Sequence, residues 1–269
     1  MRILLTNDDG VGAPGLWVLA GELAKVGDLT VVAPGEERSG AGTSISLRKP
    51  IWVQEVPSQV DGVKAYSVSG TPADSAILAI SCLFPGEFDL VVSGINRGSN
   101  LGHDVYVSGT VGAAMQGYLH GIPSIAVSMY AYFDIDFRGA ARAAALLARR
   151  VGTDGLKAPL FLNVNAPNVP PEDVEGIEIT RISRKNYCDR IEKDVDSSGE
   201  YFLITRNEEL EDALPGTDLW AVENRRISIT PLPDQTVTDE LIDRLRALAP
   251  AMAAELRVEQ ASEDKPNGF

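Results

Sequence analysis

Apolar residues run without alternation over positions 3–6 and again over 29–33, and between the two runs Leu16, Leu19, Ala20 and Leu23 recur at i, i+3, i+4 and i+7. A strand with one wet face alternates, whereas a strand covered on both faces does not, and a helical period between two such strands is the crossover that parallel pairing requires. The chain is thereby restricted to an α/β architecture with helices on both sides of a mostly parallel sheet. The rhythm continues downstream. Thr71-Pro72-Ala73-Asp74 places an N-cap, a first-turn proline and an acidic residue at the start of a helix reaching about Leu83. A strand over 89–92, a glycine-rich loop, a helix from about Thr110 to His120 closed by Gly121, a strand over 124–127, an alanine-rich helix over 139–151 and a strand over 160–164 follow.

Near residue 185 the texture changes. Acidic residues crowd 189–212 and read as solvated surface, and the apolar runs 201–205 and 227–230 suggest an antiparallel hairpin forming a protruding arm. A final helix from Asp239 to about Arg257 precedes a polar tail. The expected organisation is a catalytic core over 1–184, an arm over 185–235, a C-terminal helix over 236–258 and a flexible tail over 259–269.

With 24 basic against 38 acidic residues the formal net charge is −14, which repels a nucleic-acid duplex. Two distant cysteines, Cys82 and Cys188, make neither a zinc cluster nor a secreted disulfide scaffold, which fits a reducing, cytoplasmic address. The start of the chain lacks a signal-peptide core, and residues 105–133, free of Asp, Glu, Lys and Arg, are broken by glycines and Pro123, so no membrane span is expected. His103 and His120 are the only histidines, so any metal must be held mainly by oxygen, which points to Mg²⁺, Mn²⁺ or Ca²⁺.

Ligands in a doubly wound sheet bind beyond the carboxyl ends of the strands, which singles out the loops after Thr6, Ala33, Val92 and Ser128. The first reads Asn7-Asp8-Asp9-Gly10. Adjacent carboxylates resist joint ionisation unless a cation neutralises them, so the pair reads either as a divalent-metal site or as an Asp-rich turn capping the helix. Gly10-Val11-Gly12-Ala13-Pro14-Gly15 also matches the dinucleotide-binding G-x-G-x-x-G, with Glu36 following. An oxidoreductase using NAD or FAD is therefore one alternative, although Asp8 and Asp9 would stand beside a negative pyrophosphate. The second loop carries Ser39, Gly42, Thr43 and Ser44; the third, from Ser93 through Asn96, Asn100 and Asp104 to Ser108-Gly109-Thr110, ends at a helix start suited to a phosphate. Read singly, the two are explained equally well as a flexible turn and a capped helix. Asp134-Ile135-Asp136 hints at an aspartyl-phosphatase motif, but Phe137-Arg138 does not continue it.

Taken together, Asn7-Asp8-Asp9-Gly10, Ala33-Pro34 with Arg38-Ser39-Gly40-Ala41-Gly42, Ser69-Gly70-Thr71-Pro72-Ala73-Asp74, Ser93-Gly94-Ile95-Asn96 with Asn100-Leu101-Gly102, and Ser108-Gly109-Thr110-Val111-Gly112-Ala113-Ala114 resemble the SurE family of stationary-phase survival proteins. The resemblance runs to about Pro167 and recurs at Gly216-Thr217-Asp218 and Ser228-Ile229-Thr230-Pro231-Leu232; it is loose over 185–206, and Gln116 and Ser75 stand where the family usually has Glu and Cys. It implies a Rossmann-like fold whose C-terminal extension and terminal helix serve oligomerisation, as a homodimer or homotetramer with exchanged segments. It also implies a metal-dependent 5'-nucleotidase, with 3'-monophosphates or short polyphosphate as further substrates. One divalent ion per subunit, Mg²⁺ or Mn²⁺ with Ca²⁺ able to take its place, would be held by Asp8, Asp9, Ser39 and Asn96. Asp8, Asp9 and Asn96 would carry the chemistry, with Asp9 as the base. Ser108, Gly109, Thr110, Gly42, Thr43 and Asn100 would meet the nucleoside monophosphate. A nucleotide-binding module without turnover is the other alternative.

Overall fold

The computed structural model describes residues 1–153, 156, 160–196, 199–210, 213–232 and 238–258. In chain order the elements are β1 (Arg2–Thr6), α1 (Pro14–Leu23), β2 (Asp28–Pro34), β3 (Val53–Val56), β4 (Lys64–Val68), α2 (Pro72–Leu78), β5 (Leu90–Asn96), α3 (Gly109–Leu119), β6 (Ser124–Tyr130), α4 (Arg138–Thr153), β7 (Phe161–Pro167), β8 (Gly176–Ile179), β9 (Lys185–Asp196), β10 (Gly199–Leu210), α5 (Asp218–Glu223), β11 (Arg226–Pro231) and α6 (Asp239–Val258). Among the described residues, nine strands form one sheet in the order β3-β4-β2-β1-β5-β6-β7-β11-β8. Pairing is parallel except at β3 with β4 and at β7 with β11.

The unalternating runs are buried as their composition requires. Ile3, Leu4 and Leu5 of β1, Val31 and Val32 of β2, and Val91 and Val92 of β5 are wholly inaccessible, with α1 and α4 packed together on one face and α2 and α3 on the other. Thr71 caps α2 by accepting from the Asp74 N–H while the Asp74 carboxylate accepts from the Thr71 N–H, a reciprocal box, and the helix continues as a wider π-helical turn to Leu83. At the end of α3, Gly121 adopts a φ of 76°.

The expected hairpin exists with a different partner. Residues 201–205 pair with 190–194 across β9 and β10, a separate two-stranded antiparallel sheet, whereas 227–230 lie in β11, inside the main sheet between β7 and β8. An apolar run shows that a strand is wanted and says nothing of which strand it will meet. β11 therefore belongs to the core sheet although it falls within 185–235, and the separate sheet covers β9 and β10 alone. The short strands β3, β4 and β8 were not expected; each is partly exposed and too brief to show a period. The tail at 259–269 lies outside the described residues.

Sheet order fixes where a ligand can go. β1 is flanked by β2 on one side and β5 on the other, so successive crossovers leave it in opposite directions and a crevice opens beyond the carboxyl ends of β1 and β5. Asn7-Asp8-Asp9 and Asn96 stand at those two ends.

Candidate active site

A cleft of about 500 Å³ lies over this switch point, lined by Asp8, Asp9, Glu37, Ser39, Asn96, Arg97, Asn100, Asp104, Ser108 and Tyr132, with short backbone stretches between them. Four loops meet here, and hydrogen bonds tie the second and third to the first, which is also braced within itself. The Arg38 N–H donates to the Asp8 carbonyl (2.7 Å), the Arg97 N–H to Asp9 Oδ2 (3.0 Å), and the Asn7 side-chain amide to the Gly10 carbonyl (2.8 Å). The register of β5 against β6 shifts between Ser93 and Asn96, a bulge over Gly94-Ile95 after which pairing resumes with Asn96 opposite Ser128 at the end of the strand.

Asp8 is 3% exposed and its Oδ1 accepts the Thr110 hydroxyl, with a further bond from the Thr110 backbone. Ser108, not Thr110, caps α3 by accepting from the Val111 N–H at 3.1 Å. Gly109 explains the closeness of this contact, because a Cβ there would fall 2.8 Å from Asp8 Cβ and 2.9 Å from its Oδ2. Burial pushes the Asp8 carboxyl up from 3.8 to about 6, with the Thr110 hydroxyl pulling it down and the neighbouring Asp9 charge adding to the rise. Asp9, half-buried, is also raised by desolvation, against the lowering effect of the Arg97 N–H and charge.

The pair is thus short of positive charge. The side chains of Arg97 and Arg38 turn toward Glu37 (3.8 Å) and Glu36 (3.9 Å) at the exposed rim, and the lining contains neither lysine nor histidine. Asn96 gives its Nδ2 to the Gly98 carbonyl (2.7 Å), which leaves the amide oxygen as its unused acceptor, and Ser39 donates to Glu37 (2.9 Å) and keeps its lone pairs. Two carboxylates, an amide oxygen and a hydroxyl around an under-neutralised pocket fit a hard divalent cation. Among the described residues no group of three or more His, Cys, Asp and Glu forms a conventional metal cluster, and half of this donor set is neutral oxygen.

Other expected residues are placed differently. The Asn100 N–H donates to Asn165 Oδ1 (2.8 Å), its side-chain amide to Ser128 Oγ (2.7 Å), and its carbonyl accepts from Asn163 and Asn165. It lines the cleft while anchoring the third loop to β6 and β7. Gly42 lies against Val107, and its carbonyl sits where a Cβ on Gly112 would be, 2.3 Å away, so this turn packs on α3; exposed Thr43 lies outside the lining. Gln116 and Ser75 also lie outside it.

The dinucleotide fingerprint dissolves into packing. Gly10 has a φ of +95° with the Glu36 backbone 3.1 Å from an added Cβ, and Gly15 admits the Ile95 carbonyl (2.5 Å) and the Phe137 ring (3.0 Å), while Gly12 meets nothing within 4 Å. Asp136 is taken by the Arg138 guanidinium at 2.6 Å, which lowers its pKa and removes it from any nucleophilic role. Asp104 lies on the expected third loop without an assigned role, and Tyr132 was not anticipated. The loop after Ser128 was a place to look, but an aromatic following an apolar run reads as core until its exposure is seen.

Thr110→Val is expected to weaken Mn²⁺ binding about 10- to 100-fold, because it removes a donor that orients Asp8. Isothermal titration calorimetry on the two proteins checks this; equal affinities would leave Thr110 with a packing role only.

The family model described as Survival protein SurE matches residues 3–189. Proteins named 5'-nucleotidase SurE from Dehalococcoides mccartyi (strain CBDB1) and Moorella thermoacetica are 42% and 45% identical over 237 and 234 residues, covering 87% and 86% of this chain and 89% and 90% of theirs. The crystal structure of SurE protein from Aquifex aeolicus aligns with a TM-score of 0.75 at 36% identity, over 92% of this chain and 99% of that one. With its switch-point cleft, its ordered motifs and these matches, the chain belongs to the SurE family.

Proposed function

We propose that this protein is a metal-dependent phosphatase that hydrolyses nucleoside 5'-monophosphates to nucleoside and phosphate. The observation that carries the reading is the Asp8–Asp9 pair, desolvated at the mouth of α3 and held by Thr110 and Arg97 donors in a cleft with too little positive charge of its own. The names of the relatives support the same activity.

Asp8, Asp9, Ser39 and Asn96 would hold one divalent ion, Mg²⁺ or Mn²⁺, whose contribution is to neutralise phosphoryl oxygens and acidify water. Everything else falls to the chain. Asp8 is locked by Thr110 and serves as a fixed ligand. Asp9 has one oxygen committed to the Arg97 N–H, which leaves the other to accept a proton from the attacking water. The start of α3, entered through Ser108 in the cleft wall, directs its positive end at the phosphoryl group.

Ile191, Val195, Phe202, Leu203 and Ile204 are exposed on β9 and β10, and a lone two-stranded hairpin is marginal in water. This supports a homodimer or homotetramer in which the segment is covered by another copy; a monomer mass by light scattering would remove that reading. Among the described residues no helix is long and apolar enough to cross a membrane, and a cytoplasmic location is part of the proposal.

The test of function is phosphate release from a panel of nucleoside 5'- and 3'-monophosphates with Mn²⁺ supplied. Release above the blank from the 5'-esters is expected; none from any ester would leave a binding module in its place.

A further inference from the structure

Between β8 and β9 the chain runs beside the turn that enters α5. Arg181 and Thr217 form a parallel bridge there, the Arg181 N–H donates to the Gly216 carbonyl (3.0 Å), and the Asp218 N–H donates to the Arg181 carbonyl (3.0 Å). The two segments together line a cavity of about 430 Å³ that shares no residue with the cleft. Its volume falls within the roughly 300 to 1,000 Å³ of small-molecule pockets.

The charge of this cavity runs against that of the chain. The formal net charge is −14, yet among the described lining residues there are two arginines, Arg181 and Arg184, and no carboxylate. Arg181 reaches over the turn, with Nη1 3.7 Å from where a Cβ on Gly216 would stand. At the cleft rim Arg38 and Arg97 are drawn to Glu36 and Glu37, whereas neither Arg181 nor Arg184 is paired with a carboxylate among the described residues. Asp218, next to Thr217 in the chain, stays out of the lining because its oxygens accept the N–H groups of Gly102 (2.8 Å), Ser183 (2.8 Å) and Leu219 (2.9 Å). Two uncompensated guanidinium groups on one cavity present the planar N–H donors that a phosphate accepts from.

A buried hydroxyl points the same way. Ser183, between the arginines in the lining, is 5% exposed, and its Oγ has no hydrogen-bond partner among the described residues. An orphaned buried donor is costly, and a ligand oxygen in the cavity would satisfy it. Thr217 contrasts with it, since its hydroxyl donates to the Leu214 carbonyl (2.7 Å) and accepts from the Trp220 N–H (3.3 Å). The remaining wall includes Ile182 and Leu214, the latter 59% exposed, which a bare phosphate ion would leave uncovered. We propose that this cavity binds a small phosphorylated organic molecule, with Arg181, Arg184 and the Ser183 hydroxyl on the phosphate and Ile182 and Leu214 against the organic body. The assignment is independent of whether the cleft hydrolyses esters.

The probe is phenylphosphonate, a non-hydrolysable mimic of a phosphate monoester, titrated calorimetrically into the full chain in the presence of Mg²⁺. The wild type should show a binding event that Arg181→Ala or Arg184→Ala weakens about 10- to 150-fold, the range for losing hydrogen bonds to a charged group, with the melting temperature unchanged because both side chains are exposed. No measurable binding to the wild type, or an isotherm that both substitutions leave unmoved, overturns the proposal. Ser183→Ala should weaken binding about 2- to 12-fold without lowering the melting temperature, since the hydroxyl it removes has no partner to lose. A lower melting temperature with unmoved affinity would take Ser183 out of the site. Inorganic phosphate should bind about tenfold more weakly than phenylphosphonate, and Leu214→Ser should erase the difference. Equal affinity of the wild type for the two anions overturns the assignment to an organic ester.

Discussion

Asp9→Asn is expected to lower kcat about 10²- to 10⁴-fold while the melting temperature stays close to that of the wild type. The substitution keeps shape and volume, and the Asn carbonyl can still accept the Arg97 N–H that holds the loop, so folding loses little. What disappears is the second, uncommitted carboxylate oxygen and with it both a negative charge for the metal and the proton acceptor for water. Steady-state kinetics at saturating Mn²⁺, with bound metal verified by elemental analysis, checks this. Near-normal turnover with metal in place would take Asp9 out of the chemistry.

The second large effect is one of pH on the metal-free protein. The Asp8 carboxyl titrates at about 6 when folded against 3.8 for the ordinary group, so between those values the native state holds more protons than the unfolded state. Stability from this group is then full below about pH 4 and is lost as pH rises through about 6, by on the order of 3 kcal/mol. Asp9 is raised too and contributes with the same sign. Asp74, Asp89 and Asp136 are shifted the other way and weaken the fold only as pH falls through and below the ordinary carboxylate range. Denaturant unfolding of chelator-treated wild type and Asp8→Asn isolates the contribution of this carboxyl, since Asn cannot ionise. The variant should gain on the wild type between about pH 4.5 and 7.5, and Mn²⁺ should return the wild type's stability more fully at the higher pH, where its ligands are deprotonated. A constant difference between the two proteins across that window would show that Asp8 is not destabilised by its burial.

Much of this arrangement is legible in the sequence where the signal is local. The unalternating runs at 3–6 and 29–33 announce buried parallel strands, and Thr71-Pro72-Ala73-Asp74 announces its helix, because burial and capping act on neighbours along the chain. The paired aspartates are equally visible. What cannot be read is anything decided across the sheet. The bond from Thr110 to Asp8 spans 102 positions, and nothing near Thr110 signals that its hydroxyl faces a carboxylate. The pairing of 227–230 with β7 is hidden for the same reason. Tyr132 was passed over because side-chain exposure depends on packing by Gly98, in another loop.

One buried residue sets a limit on how this enzyme can be divided. Asp218, wholly inaccessible, accepts the Gly102 N–H at 2.8 Å, the Ser183 N–H at 2.8 Å and the Leu219 N–H at 2.9 Å. Every cleft residue named above precedes position 133, yet the loop carrying Asn100 and Asp104 borrows its acceptor from far downstream, and β11 fills the sheet between β7 and β8. A gene cut after β7 would encode all of the chemistry and lack the carboxylate that seats it. Such a fragment should regain order when the remainder is supplied as a separate polypeptide, so the smallest working unit of this protein is topological rather than linear.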